Sequence, residues 1–303
     1  MSQFPEKVRI VEVGARDGLQ NQPNLVSTAT KVSLIERLTD AGIKHLEAGS
    51  FVSPKWVPMM QDSAAVLQQI RRRPDVVYSA LTPNLKGVSA ALAAGVNEVA
   101  IFIAATESFS QKNTNCSIDE AIARAMPVIA LAQSNSVRVR GYISCVLGCP
   151  FEGRDIDPEK VAMLTERLID MGCFEVSLGD TIGTGTPNKA QYLIDVITQR
   201  VNVNQLAAHF HNTYGQALAN LYAVLERGVS VIDSSVAGLG GCPYAKGATG
   251  NVATEDVLYM LHGMGIQTGI DLDKMVSSAQ FISQAIQVPI DSNTTNAYLK
   301  RQA

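Results

Sequence analysis

Apolar positions along the 303-residue chain alternate between two periods. Short runs rich in β-branched residues predict strands over Val8–Val13, His45–Ala48, Val76–Leu81, Glu98–Ala104, Val137–Val146, Phe174–Leu178, Leu206–Phe210 and Val231–Ser235. Between them lie longer stretches whose apolar residues recur every three or four places. These predict helices, among them Thr30–Ala41, Ile118–Gln133, Pro158–Met171, Asn188–Arg200 and Ala217–Arg227. Strand followed by helix, repeated, argues a parallel sheet covered by helices. A turn also recurs: Ala41-Gly42-Ile43, Ala94-Gly95-Val96, Met171-Gly172-Cys173 and Arg227-Gly228-Val229 each end a helix on glycine just before a strand. Eight such units in about 250 residues match a closed (β/α)8 TIM barrel. The rival, an open doubly wound sheet, would carry Gly-x-Gly-x-x-Gly after its first strand, where this chain reads Gly14-Ala15-Arg16-Asp17-Gly18. No linker or change of composition interrupts the pattern. The expectation is one domain over 1–303, with the barrel over about 5–265 and a C-terminal helical extension over 266–303, made of a helix near Asp273–Gln287 and a polar tail.

Composition narrows the function classes. A 46% hydrophobic content suits one large buried core. The net charge is −3 with both signs dispersed, and no basic run or basic-aromatic stripe marks a nucleic-acid partner. An anionic substrate therefore needs a local positive site. No apolar stretch reaches membrane-spanning length, and no leader or transit pattern opens the chain. Five scattered cysteines fit a reduced, cytoplasmic protein better than a disulfide framework.

In such a barrel, chemistry sits at the C-terminal ends of strands and in the loops that follow. Those positions hold Arg16 and Asp17 after the first strand, Glu47 on the second, and Asn113 in a polar loop after the fourth. Asp180 follows the sixth strand, and His209 and His211 end the seventh. Two histidines two apart on a strand point to one face, and at a barrel mouth a metal ion gives them a reason to converge. Asp17 and Asn251 can complete the shell. Two nitrogens with carboxylate and amide oxygens suit Mg2+, Mn2+, Co2+ or Zn2+ alike. Arg16 offers fixed N–H donors to a developing oxyanion, where a plain surface ion pair is the simpler reading. Glu47 can orient that arginine. It ranks lower, because Glu98 and Glu175 stand in similar places after their glycines and suggest a generic turn residue.

After the eighth strand, the segment 238–250 holds five glycines but neither a P-loop nor a dinucleotide fingerprint. It reads as a lid over the mouth that delivers Cys242 on closing. Cys173 and Cys145 read as small buried hydrophobes, with Cys149 intermediate.

Several motifs together resemble the hydroxymethylglutaryl-CoA lyases, within the wider group of metal-dependent barrel lyases built on an Arg-Asp pair. They are Glu12–Gln22 (EVGARDGLQNQ), Ser50–Pro58 (SFVSPKWVP), Ser177–Gly183 (SLGDTIG), His209–Asn220 (HFHNTYGQALAN) and the segment from Gly238 to Asp256. The likeness covers nearly the whole chain. It implies that Asp17, His209, His211 and Asn251 hold Mg2+ or Mn2+, that Arg16 stabilises an enolate, and that Cys242 is the loop acid/base. Glu47 and Asp180 match supporting catalytic positions, and Gln20 and Asn113 join Arg16 as substrate-binding positions. The expected reaction is a retro-Claisen cleavage of (S)-3-hydroxy-3-methylglutaryl-CoA to acetyl-CoA and acetoacetate, in leucine catabolism or ketone-body formation, by a homodimer. Alternatives are an acyl-CoA condensing synthase of the same group or a lyase for a longer branched 3-hydroxyglutaryl-CoA. A metal-dependent amidohydrolase would place its His-x-His after the first strand, and a non-catalytic binding barrel needs no metal–cation pair.

Overall fold

The computed structural model describes residues 4–241 and 250–302. Eight parallel strands close into a barrel in sequence order: β1 (Arg9–Glu12), β2 (His45–Ser50), β3 (Val77–Leu81), β4 (Glu98–Ala104), β5 (Arg138–Ser144), β6 (Glu175–Asp180), β7 (Leu206–Phe210) and β8 (Val231–Ser234). The seam is the β1–β8 pair, in register from Arg9 opposite Val231 to Glu12 opposite Ser234. Eleven described helices surround or extend it: α1 (Thr28–Asp40), α2 (Ser63–Gln69), α3 (Leu85–Ala93), α4 (Glu107–Thr114), α5 (Ile118–Ser134), α6 (Pro158–Asp170), α7 (Pro187–Ile197), α8 (Ala217–Leu225), α9 (Thr254–Gly263), α10 (Leu272–Ile286) and α11 (Asn293–Gln302). Among the described residues, no helix is long and apolar enough to cross a membrane.

The recurring glycine turn has its physical cause in the backbone. Gly42, Gly95, Gly172 and Gly228 take φ of 108°, 75°, 103° and 87°, a region that a side chain disfavours. At Gly42 a Cβ would also stand 2.5 Å from the Gly269 carbonyl oxygen.

The main core lies between sheet and helices, where Leu34, Ile35, Leu46, Ile122, Ile129, Leu168, Leu193 and Leu221 are fully enclosed. The inside of the barrel is different, because charges cross it. Arg9 on β1 pairs with Glu175 on β6, and Arg140 on β5 pairs with Asp233 on β8 at 2.7 Å. These strands are not neighbours in the closed sheet, so the bonds span the interior.

Two corrections concern the ends of the chemistry-bearing loops and the tail. Asn113 lies in the last turn of α4, a helix rather than a polar loop. The tail beyond α10 forms α11, whose start is held by α9. Asp256 accepts from Ser292 Oγ at 2.9 Å and from the Thr294 and Asn293 amides at 2.8 and 3.2 Å. A carboxylate at a helix N-terminus satisfies orphan donors and faces the positive end of the dipole.

Two buried acids secure the turn after β8. Glu12 accepts from the Gly14 and Val236 amides and from Thr254 Oγ1, and Glu255 accepts from the Ala237 amide. Burial pushes Glu12 up to about 7 and Glu255 up to about 8. The folded protein therefore keeps protons that the unfolded chain releases near pH 4.5. The stability tied to them is full below that value and is lost as pH rises through about 7 to 8. Denaturant unfolding should show the parent losing stability relative to Glu255→Gln between about pH 5 and 8. Parallel curves for the two across that range would remove Glu255 as the titrating group.

Candidate active site

The site is built at the C-terminal ends of β1, β7 and β8. After β1 the chain makes one π-helical turn, Gly14–Gly18, rather than an α-helix. Such a wide turn is rare and marks functional sites. Gly14 and Gly18 allow it to press against the β8 turn. A Cβ on Gly14 would lie 2.6 Å from Glu12 Oε1, and one on Gly18 would lie 2.7 Å from Ser235 Oγ. The turn presents Arg16 and Asp17 together.

One ligand atom each from Asp17, His209 and His211 all lie within 4.8 Å of one another. Asp17 Oδ1 accepts from Arg16 Nη1 at 2.6 Å, and Oδ2 accepts from Asn251 Nδ2 at 2.8 Å. Asn251 bridges to His211 through the backbone, and its Nδ2 also donates to the Leu239 carbonyl at 3.2 Å. The four predicted ligands are thus brought together from the first turn, the seventh strand and the segment after the eighth.

The electrostatics favour a cation. Burial opposes the Asp17 charge, yet Arg16, His209 and the Asn251 bond bring its pKa down to about 2. Burial, aided by His209, brings His211 down to about 4, so its ring is neutral near pH 7. Its Nδ1 is buried with no hydrogen-bond partner. A buried nitrogen without a partner costs free energy unless something pairs with it. That observation, with the donor set, fits a divalent metal.

Arg16 is 6% exposed, and Nε donates to Glu47 Oε2 at 2.6 Å. Burial works against its charge, but Glu47 and Asp17 hold its pKa above the ordinary value. Glu47 is no turn residue. It sits inside β2 opposite Ser79 and is fully buried. Glu98 and Glu175 stand at the first residues of β4 and β6. Burial pushes the Glu47 carboxyl upward against the pull of Arg16, and its Oε1 has no partner.

The remaining predicted residues separate. Asp180 ends β6 and accepts from the Thr184 and Gly185 amides at 3.2 and 2.9 Å, which folds the following loop back on it. Burial raises it to about 6. Gln20 has a buried Oε1 without a partner. Asn113 is exposed on α4. Cys242 and the lid reading lie outside the described residues. Gly241, just before them, accepts from Asn21 Nδ2 at 3.2 Å. Cys116, Cys145, Cys149 and Cys173 are buried free thiols. Sequence reading missed Asp233, which is 2% exposed on β8 with Oδ2 3.3 Å from His209 Nδ1.

A family model described as HMGL-like matches residues 7–282. The chain belongs to this family. It is 56% identical to the 3-hydroxy-3-isohexenylglutaryl-CoA/hydroxymethylglutaryl-CoA lyase of Pseudomonas aeruginosa, over 98% of this chain and 99% of that one. It is 54% identical to the mitochondrial hydroxymethylglutaryl-CoA lyase of Homo sapiens, over 99% of this chain and 92% of the relative. The crystal structure of hydroxymethylglutaryl-CoA lyase from Pseudomonas aeruginosa superposes with a TM-score of 0.97 at 55% identity, covering 99% of this chain and 100% of that one. The HMG-CoA lyase of Acinetobacter baumannii, in complex with coenzyme A and 3-methylmalate, superposes at 0.92 with 34% identity, covering 98% and 97%. Within the HMGL-like family, the barrel and its order of strands are therefore those of the lyases.

Proposed function

We propose that the protein cleaves (S)-3-hydroxy-3-methylglutaryl-CoA to acetyl-CoA and acetoacetate. The observation that carries this is the convergence of Asp17, His209 and His211 beside the buried Arg16 cation, in a chain of the HMGL-like family. Hydroxymethylglutaryl-CoA is common to the names of both curated relatives, so neither the condensing synthase nor a lyase restricted to longer branches is favoured.

Asp17, His209, His211 and Asn251 would hold Mg2+ or Mn2+, and Asn251 Nδ2 ties the set together by donating to Asp17 Oδ2 and to the Leu239 carbonyl. Bound there, the ion supplies Lewis acidity to the tertiary hydroxyl of the substrate and orients it. The hydroxyl proton passes to a base among Asp17, His209 and water, the C2–C3 bond breaks, and acetoacetate leaves. The electron pair stays on the acetyl-CoA fragment as an enolate. Arg16 is anchored through Nε and Nη1, which leaves Nη2 for the enolate oxygen. Glu47 fixes that fork, and Asp180 shapes the neighbouring loop. Cys242 returns a proton to the enolate carbon. Gln20 and Asn113 complete the substrate-binding set by family resemblance. The same resemblance supplies the homodimer and the place in leucine catabolism or ketone-body formation, and the scattered cysteines support a cytoplasmic location.

Incubation with 3-hydroxy-3-methylglutaryl-CoA and Mg2+ should release acetoacetate and acetyl-CoA in equal amounts. Hydrolysis to free coenzyme A without acetoacetate would overturn this assignment.

A further inference from the structure

Asp233 contributes nothing to the proposed metal shell, yet donors from three strands end on its carboxylate. Arg140 of β5 donates through Nη2 to Oδ1 at 2.7 Å and through Nη1 to Oδ2 at 3.0 Å. Ser177 of β6 donates through Oγ to Oδ2 at 2.8 Å. His209 of β7 places Nδ1 3.3 Å from the same oxygen. A buried carboxylate gripped by a guanidinium fork stays ionised, and an ionised carboxylate only accepts. Facing it, His209 is satisfied in one tautomer, with the proton on Nδ1 and the lone pair on Nε2. The ring cannot easily turn away. Tyr142 packs edge-on against it, with centroids 6.0 Å apart at 85°, and the Tyr142 hydroxyl is itself held by Arg140 Nη1 at 2.8 Å.

We propose that Asp233 is a positioning residue: held by Arg140 and Ser177, it locks His209 in the Nδ1–H tautomer, so that Nε2 presents its lone pair to the cluster with Asp17 and His211. This role rests on reading that cluster as a metal site. The geometry places the orienting group on β8, so the charge that crosses the barrel interior reaches the mouth through one carboxylate.

The decisive experiment uses metal-free, full-length protein labelled with nitrogen-15 histidine, whose four histidines keep the spectrum sparse. The neutral His209 ring should carry its proton on Nδ1. Asp233→Asn, whose amide can donate to Nδ1, should shift the ring toward the Nε2–H form. Mn2+ binding followed by electron paramagnetic resonance should weaken about 10- to 100-fold in Asp233→Asn. Ser177→Ala removes one hydrogen bond but keeps the charge, so it should shift the tautomer and weaken Mn2+ binding less than Asp233→Asn does. A merely structural Asp233 would lower thermal stability in the variants without moving the tautomer. An Nε2–H ring in the parent overturns the lock, and so does a folded Asp233→Asn that binds Mn2+ as the parent does. If the parent binds no Mn2+, the metal-site reading fails, while its histidine spectrum still decides the tautomer.

Discussion

Exhaustive chelation should abolish acetoacetate release, and Mg2+ or Mn2+ should restore it. Asp17 and His211 are prepared for this dependence, one held ionised and the other held neutral in a buried setting. Asp17, His209 and His211 each bring one ligand atom within 4.8 Å of the others, so a single ion can engage all three. His211→Ala should weaken metal binding by more than about 100-fold, beyond the loss typical of an outer partner. Because the ring points into the mouth rather than the helix-packed core, the variant should remain folded. Calorimetric titration of the chelated protein with Mn2+, run beside the activity assay, checks both statements. Full turnover after metal removal would sink the mechanism.

Arg16→Met should lower kcat by about 10²- to 10³-fold with little change in KM, the scale of losing one preorganised donor to an oxyanion. The charge it meets exists only once the C–C bond has begun to break, so substrate affinity is nearly blind to it. The pairing geometry supports this division. Glu47 and Asp17 fix the guanidinium before substrate arrives, so little reorganisation is needed at the moment of reaction. Part of the cost is electrostatic housekeeping, because Met leaves the fully buried Glu47 without its cation. Thermal unfolding of the variant measures that share separately. A variant with near-parental kcat and a large rise in KM would make Arg16 a binding residue.

Much of this architecture is legible in the residues. The predicted strands match the observed ones closely: Glu98–Ala104 and Leu206–Phe210 coincide, and the others differ at their ends. Period and glycine punctuation are local signals, and a parallel barrel obeys them. The convergence of side chains is legible too, since strand ends and the spacing of His209 and His211 foretell that they meet Asp17 at the mouth.

What escapes depends on partners distant in sequence. Glu107–Thr114 is polar without an apolar stripe, so α4 does not announce itself, and α11 is equally polar and receives its capping carboxylate from α9. Asp233 hides among apolar and small neighbours. Its meaning appears only when the register brings β5, β6 and β7 to it. Glu47 differs from Glu98 and Glu175 in its spacing. It stands five residues after its glycine, while Glu98 and Glu175 stand three after theirs. The parity is the same but the position is one layer higher, at Arg16 instead of at the barrel floor.

The closure of the barrel at β1 and β8 makes the cluster a late product of folding. Asp17 and Asn251 are bonded across 234 residues of sequence, the longest kind of loop a chain of this size can close. The ligands from β7 and from beyond β8 meet Asp17 only when the first and last strands have found each other. A ribosome-bound chain that has released its first six strands therefore holds one of the four proposed ligands. A cation held as proposed would act as a clasp across the seam, adding stability that grows with the logarithm of free metal concentration. In a cell short of that metal, the weakest line of the fold would be the place where the chain's beginning meets its end.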